Sequence, residues 1–427
     1  MSTPNAVIDT RKEIASETIS PEKMMQRLLE FEPASAPVIS LYLDARADQH
    51  GRHNFLPFVR KQLTERGKTY PAHSRERASF EEDFVRIARY LENDVRSSVQ
   101  GLAMFACAAV DDFFKVGQFD APFEHNRLFV YDRPHVYPLA RLIDQYRRYA
   151  VVLADTNRAY LFVFASYREM ERQGVENVKT KKAKVGGWSQ ARYQRHRENY
   201  HLHHAKEVID VLERTVREEA IESIILAGDE QTVIPILREQ MPKALSEKVI
   251  DVLSLGIDTP EHELLEESLN AFRRHDTLTD MQQVERLLNE YRADDLAVAG
   301  VPETLAALSN GQVEELLIAA SPASLQYDET EVTKVLQLYG ADEELRAQLD
   351  QRTVADELVR RAKQFSSARV TFVEDASLLE PVGGVGALLR YRISAESAAP
   401  YEQPDAAPRA EALTPKSSRQ KAESRRQ

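Results

Sequence analysis

The chain has 427 residues, which suggests roughly two to four domains of ordinary size. Its 56 Lys and Arg against 68 Asp and Glu give a net charge of −12, which excludes a uniformly basic nucleic-acid-binding surface and allows only a local one. A single cysteine excludes an intrachain disulfide, residues 1–20 lack the pattern of a signal peptide, and no apolar run approaches the roughly 20 residues of a membrane helix. We therefore expect a cytoplasmic protein without membrane contact.

The first predicted unit, residues 21–145, is α/β and follows 20 residues that we expect to be disordered. Val38–Leu43 is a compact apolar run suited to a buried strand. A helix is predicted over Arg75–Val95, since its apolar residues recur at offsets of three and four. The other predicted elements of this unit are helices at Pro21–Phe31 and Asn54–Glu65, and strands at Leu102–Val110, Phe113–Phe119 and Arg127–Tyr131.

The second predicted unit, residues 146–275, opens with two strands joined by an Asp-Thr-Asn-Arg turn. A long helix is predicted from Gln190 to Glu218, with Val208, Val211, Leu212 and Val216 on its apolar side. Strands then alternate with helices, which favours an α/β sheet. The strands are predicted at Ala150–Ala154, Tyr160–Ala165, Ile221–Gly228 and Val249–Leu255, and the shorter helices at Val233–Met241 and His262–Arg273.

The third predicted unit, residues 276–394, is again α/β, and the polar tail 395–427 is predicted to be disordered. Asn310-Gly311 is a helix-stop signal. The predicted helices are Asp280–Tyr291, Val301–Leu308, Glu331–Tyr339 and Thr353–Gln364, and the predicted strands are Leu296–Ala299, Val313–Ala320, Arg369–Val373 and Leu388–Ile393.

A basic segment, residues 179–197, is the feature of the sequence that points most directly to a partner. No Asp or Glu occurs from Asn177 to Arg197, which is unusual in an acidic chain and favours contact with a polyanion such as RNA. A mobile, solvated loop is the alternative. The candidate RNA-binding residues are Lys179, Lys181, Lys182, Lys184, Arg192, Tyr193, Arg195 and Arg197.

Several strings resemble the archaeal–eukaryotic class-1 release factor and Pelota superfamily, including its bacterial members. In the second unit these are VVLADTN, AYLFVF, GGWSQARYQRHRENYHLHHAKEV and SIILAG. In the third they are VPETLAALSNGQVEELLI and VGGVGALLRYRI, and in the first VISLYL, GLAMFAC and NRLFVYD. The resemblance implies three consecutive α/β domains: an N domain, a tRNA-mimicking middle domain and a Pelota-like C-terminal domain.

The resemblance also implies a protein of the ribosomal A site whose loop tip, Gly186 to Ser189, reaches the peptidyl-transferase centre. That family carries Gly-Gly-Gln at this tip, and the glutamine helps to place a water against the peptidyl-tRNA ester. Gly186 and Gly187 match, but Trp188 occupies the third position. An indole has one donor and no acceptor, so it cannot position water as an amide does. Gln190 is the candidate catalytic residue if the loop is remodelled, and an ordinary helix-start residue otherwise.

The stop-reading strings of the family, Asn-Ile-Lys-Ser and Tyr-x-Cys-x-x-x-Phe, are absent, so stop-codon reading is not expected. The leading hypothesis is a factor of ribosome hibernation or rescue, similar to Balon-type factors, which lack an intact Gly-Gly-Gln. By that likeness its partners are the ribosome, tRNA and a translational GTPase such as elongation factor Tu. The alternatives are a peptidyl-tRNA hydrolase or tRNA-cleaving rescue factor using Gln190, and an RNA-binding regulator acting off the ribosome.

Three further motifs receive simpler interpretations. Four histidines, at 196, 201, 203 and 204, have no cysteine or carboxylate at a spacing that completes a zinc site, and RNA contact or surface packing is favoured over a metal. No cofactor is expected.

Gly383-Gly384-Val385-Gly386 precedes a strand pattern instead of a helix, which favours a structural turn over a nucleotide loop. Cys107 lies in an apolar run and is predicted to be a buried core thiol.

Overall fold

The structure is a computed structural model, and it describes residues 21–48, 52–110, 113–119, 121–165, 168–176, 190–340 and 349–393. Side chains are described for the same residues except 165–176 and 190–200. The predicted disordered ends, residues 1–20 and 395–427, lie outside the described residues.

Four antiparallel strands in the order β3-β2-β1-β4 form the first sheet. The strands predicted at Val38–Leu43, Phe113–Phe119 and Arg127–Tyr131 are confirmed. One face of the sheet packs on α2 and α3, and the other packs on α1 and α4. The bounds are β1 Val38–Asp44, β2 Gly101–Cys107, β3 Phe113–Phe119, β4 Arg127–Tyr131, α1 Pro21–Leu29, α2 Leu56–Gly67, α3 Arg75–Asn93 and α4 Tyr137–Gln145. The sequence reasoning did not predict α4.

Five strands in the order β7-β6-β5-β8-β9 form the second sheet. Strand β5 pairs antiparallel with β6 and parallel with β8, so this sheet is mixed. The edge strand β7 was not predicted from the sequence, and its mostly polar composition suits an edge. The bounds are β5 Tyr149–Ala154, β6 Arg158–Ala165, β7 Arg168–Glu176, β8 Ser223–Gly228, β9 Val249–Leu253, α5 Gln190–Glu218, α6 Val233–Gln240 and α7 Lys243–Ser246.

One continuous helix, α8, runs from Glu261 to Arg292 and corrects the prediction of two separate helices. The polar stretch between them contains Thr277 and Thr279, which are poor helix formers. Each threonine hydroxyl donates to the backbone carbonyl four residues earlier, at 3.0 Å and 2.9 Å, so both remain satisfied inside the helix. The predicted domain boundary at 275/276 therefore lies inside one helix.

The third sheet has the order β10-β13-β11-β12, with β11 and β12 parallel and the other pairs antiparallel. The last strand is Val385–Leu389, so the predicted strand Leu388–Ile393 was placed too far along the chain. All five residues of Val385–Leu389 are buried between two partner strands, whereas Arg390 and Tyr391 are exposed. The remaining bounds are β10 Ala297–Ala299, β11 Val313–Ala319, β12 Arg369–Val373, α9 Val301–Ser309, α10 Glu329–Leu338 and α11 Gln351–Gln364.

The fold is thus mixed α/β with three sheets, as predicted from the sequence. One hydrophobic cluster joins the first and third units: it contains Tyr42 and Phe105 from the first sheet and Leu316 and Leu358 from the third unit. The second sheet has separate clusters on its two faces. Within the described residues, no helix is long and apolar enough to cross a bilayer.

Two smaller predictions are confirmed. Cys107 is fully buried at the end of β2, and burial raises the pKa of its thiol. Gly383 and Gly384 form the turn before β13 with φ angles of 69° and 83°. A Cβ at Gly384 would lie 2.5 Å from the Ser324 carbonyl oxygen, so this position requires glycine.

Candidate nucleic-acid interface

The basic segment lies between the edge strand of the second sheet and a long helix. Strand β7 ends at Glu176 and α5 begins at Gln190, so Gly186, Gly187, Trp188 and Ser189 come immediately before the helix. These four residues and Lys179, Lys181, Lys182 and Lys184 lie outside the described residues. Arg192, Tyr193, Arg195 and Arg197 belong to the first two turns of α5, and their side chains lie outside the described ones.

The start and end of α5 coincide with the helix predicted from the sequence. Its second half is held by apolar contacts, since Val208, Leu212 and Val216 are buried against the second sheet and α6, with Val211 packed at the margin. The first turn of α5 contains no acidic residue. The unpaired amides of a helix N-terminus carry about half a positive charge, which adds to the charge of the neighbouring lysines and arginines.

The turn between β5 and β6 fixes the middle of α5. The Asp155 carboxylate accepts hydrogen bonds from the backbone amides of Asn157 and Arg158, at 2.7 Å and 2.6 Å. This pattern closes the turn predicted from the Asp-Thr-Asn-Arg string. Thr156 then presents its carbonyl oxygen 2.9 Å from Nδ1 of His201, which donates to it. The direction in which the helix leaves the sheet is therefore set at this turn.

The three described histidines of α5 contact different neighbours. His201 bonds to the turn, and Nε2 of His203 lies 3.4 Å from a Glu207 carboxylate oxygen on the exposed side of the helix. His204 is buried, and burial lowers its pKa. In the described part of the chain no three His, Cys, Asp or Glu side chains are grouped so that they could hold a metal ion. The side chain of His196 lies outside that part.

In the sequence, the lysines and arginines of the basic segment lie directly before the start of α5 and within its first turns. Cationic side chains next to a helix N-terminus can neutralise several phosphates at once. The catalytic candidate Gln190 is the first residue of α5, which agrees with its ordinary interpretation as a helix-start residue. Sequence reasoning missed the strand that precedes the segment, β7, because its mostly polar residues are not typical of a strand.

Two family models match the chain. The model described as bacterial archaeo-eukaryotic release factor family 10 matches residues 134–273, and the model of eRF1 domain 3 matches residues 277–393. The first contains the second sheet and the basic segment, and the second contains the third sheet. Together they cover more than half of the chain.

A curated relative is the Pelota homolog of Thermococcus kodakarensis, 25% identical over 256 residues that cover 58% of this chain and 62% of that protein. The chain therefore spans less than two thirds of that relative. Dom34 of S. cerevisiae, a translation termination-like factor that interacts with Hbs1, is 12% identical over 69% of this chain and 79% of its own, with a TM-score of 0.39.

The archaeal Pelota of a ribosome-bound Pelota and ABCE1 model is 17% identical over 87% of this chain and 94% of its own, with a TM-score of 0.37. Both TM-scores are below 0.5, so the assignment rests on the family models and not on these structures. On that basis the chain belongs to the archaeal–eukaryotic release factor and Pelota superfamily, in its bacterial branch.

Proposed function

We propose that this protein binds the ribosomal A site as a release-factor-like translation factor of hibernation or rescue, acting in the cytoplasm without reading stop codons. The observation that carries the proposal is the position of the basic segment. It lies between β7 and α5 inside the region that matches the release factor family model. In an acidic chain, so local a concentration of positive charge is suited to an RNA site that is reached by one part of the molecule.

Charge reversal of the segment tests the binding surface. Lys181, Lys182 and Lys184 changed together to Glu should abolish co-sedimentation with ribosomes at moderate salt, because each lost phosphate contact weakens binding and steepens its loss with salt. The matched control reverses three exposed lysines elsewhere, Lys68, Lys243 and Lys334, and carries the same change in net charge. Equal loss in both triple variants, or no loss in the first, would contradict the proposal.

A second candidate function, peptidyl-tRNA hydrolysis, is favoured only by Gln190. This residue is the first of α5 and follows Trp188 by two positions in the sequence. Ester hydrolysis needs a held water and a donor for the developing oxyanion. The indole of Trp188 supplies neither an acceptor for that water nor an amide, whereas its ring can stack on a base.

Ribosomes carrying labelled peptidyl-tRNA separate the two functions. A protective binder should release no peptide, and Trp188→Ala should weaken occupancy while Gln190→Ala changes little. A hydrolase should release peptide and lose about a hundredfold or more in rate on Gln190→Ala. Robust release by the unmodified protein, lost in that variant, would replace the first function with the second.

Codon preference and partners complete the proposal. Binding should be the same with a stop codon, a sense codon or an empty A site, and stop-specific binding would refute the decoding part.

We propose tRNA and a translational GTPase, of the elongation factor Tu type, as further partners. Adding that GTPase with GTP should speed ribosome binding. Equal affinity for ribosomes and for free RNA would instead favour a regulator acting off the ribosome.

A further inference from the structure

A cavity of about 390 Å³ lies where the three units meet. Its walls come from the segment after α4, from the middle of α8, and from the residues after β12. This volume falls within the range of pockets that hold small molecules, roughly 300–1,000 Å³. The cavity is distant in sequence from the basic segment, and nothing in the proposed function uses it.

The walls combine aromatic carbon with carboxylates. Tyr149, Phe272 and Phe372 supply rings, and Asp276 and Asp280 come from one face of α8, four residues apart. Glu374 lies on the opposite wall and is already paired, since Arg141 reaches it at 3.2 Å. A ligand that fits must therefore offer both a positive group and a short apolar stem.

The carboxylates outnumber the cation beside them. Arg147 is 2.6 Å from Asp276 and 3.7 Å from Asp144, and it is the cation that faces all three aspartates. Burial raises the pKa of Asp276, and it raises that of Asp144 to about 6. Arg147 thus faces three acidic groups in a partly dry site, while Lys363 also faces Asp144 and His275 also faces Asp276.

Asp280 is the one of these three aspartates that has no close partner among the described residues. Only 7% of the residue is exposed, and its carboxylate lines the cavity. Among the residues that the structure describes, none makes a hydrogen bond or a close ion pair with it. Buried carboxylates are normally paired, because an unpaired buried charge is costly. An unpartnered, nine-tenths buried carboxylate that faces a cavity is what a bound cation would complete.

We propose that this cavity is a binding site for a small organic cation, a primary amine on a short aliphatic chain of the polyamine class. Its ammonium pairs with Asp280 and Asp276, and its methylene groups lie against Phe272 and Tyr149. A metal ion fits less well, because no described group of three acidic or histidine ligands has the spacing to hold one. The ligand touches the segment that joins the first and second units and the helix that joins the second and third.

Binding should strengthen between pH 6 and pH 8, because the cation requires the ionised form of Asp280, whose pKa burial raises to about 7. The charged groups around it from the packed elements are Glu124, Asp144, Arg147, Arg273, Asp276, Glu374 and Asp375. Among these the arginines stay charged over that range, so they do not reverse the trend.

The test is titration of the full chain with spermidine by calorimetry at pH 8. We expect saturable binding of one spermidine per chain, weakened at least tenfold in Asp280→Asn. The matched control is Asp294→Asn, which removes one carboxylate from the surface, where 91% of its side chain is exposed, and should bind as the unmodified protein does. Asp280→Asn should fold well, because it removes an uncompensated buried charge, and its melting temperature verifies this.

Two outcomes would overturn the proposal. Spermidine binding that does not saturate, or that is the same in Asp280→Asn and Asp294→Asn, would show general attraction to an acidic surface. Saturable binding of Mg²⁺ that is lost in Asp280→Asn would assign the site to a metal and not to an organic cation.

Discussion

The two junctions between units of this molecule are held by different kinds of contact. Where the first unit meets the third, one apolar core continues across the boundary. Asp356 of α11 accepts hydrogen bonds at 2.6 Å and 2.8 Å from the backbone amides of Val136 and Tyr137, the first turn of α4. The hydroxyl of Tyr137 donates in return to the carbonyl oxygens of Ala319 and Ala320, at 3.1 Å each.

The second unit meets the third through helix α8, which continues across the boundary, and through an ion pair beside the cavity. Arg147 pairs across this junction with Asp276 at 2.6 Å, and each of the two side chains is about one third exposed. Pairs this accessible contribute little, typically 0 to about 1 kcal/mol each. The contrast teaches that the first and third units share one apolar core, whereas the second unit is joined to the third by a continuous helix and by a partly exposed ion pair.

Removing Asp356 is the strongest way to break the first junction. Asp356→Ala leaves two buried amides without their acceptor and the buried Arg360 guanidinium without its ion-pair partner, and we expect a loss of about 3–5 kcal/mol. Urea unfolding measures it. The control on the same helix is Asp350→Ala, which removes an ordinary helix cap and should cost about 1 kcal/mol. Equal losses in the two variants would remove the distinction between the junctions.

Asp280→Asn should do the opposite at the second junction and stabilise the protein. Burial raises the pKa of Asp280 from 3.8 to about 7, so the unfolded chain binds fewer protons than the folded one and the charge destabilises folding at high pH. We expect a gain of about 1–3 kcal/mol at pH 8 that disappears as pH falls from about 7 to 4. Thermal unfolding at pH 8, 6 and 4 checks this, and a gain that is independent of pH would be contrary to it.

Acid should weaken the first junction through His135, a ring 2% exposed that stacks on Phe129 at 3.7 Å. Burial lowers the pKa of His135 in spite of the nearby Asp356 carboxylate. The unfolded state therefore takes up the proton first, and stability present above about pH 6.5 is lost below it, by at most about 1.4 kcal/mol per pH unit. The variant His135→Phe should lack this component. Parallel stability curves for both proteins between pH 7.5 and 5.5 would argue against the buried neutral histidine.

Arg148→Ala should give the smallest effect. We expect a loss below about 1 kcal/mol that shrinks as salt is raised, because the pair with Glu219 is partly exposed and screened. Urea unfolding at low and high NaCl measures it, with Arg60→Ala, which breaks a more exposed pair with Glu92, as the matched case. The Arg148–Glu219 pair lies within the second unit, and a loss comparable with that of Asp356→Ala would contradict the small contribution expected of a partly exposed pair.

Helices and strands that are specified by residues within their own segment could be predicted from the sequence. The bounds of β3, β4, β12 and α5 follow from runs and spacings within each segment. The helix α4 escaped prediction because its first-turn amides are satisfied by a side chain 219 and 220 residues away. The core shared by the first and third units could not be predicted either, because its residues are also far apart in the sequence.

The continuity of α8 also escaped prediction, because its polar centre has the composition of a linker. Only the structure shows that the hydroxyls of Thr277 and Thr279 bond within the helix and that Asp276 and Asp280 face a cavity. The basic segment shows the reverse case. Its charge pattern and its place before Gln190 could be predicted without the structure, whereas the chemistry of Trp188 depends on a partner surface.

The hydrogen bonds between Asp356 and the start of α4 can form only late in the synthesis of the chain. Val136 and Tyr137 leave the ribosome 219 to 220 residues before the carboxylate that they bind. At about 5–20 residues per second, that gap lasts roughly ten to forty-five seconds. Through this interval the cluster that contains Tyr42 and Phe105 lacks the apolar residues that the third unit contributes to it. Apolar surface that stays incompletely covered for this long makes the nascent chain prone to aggregation.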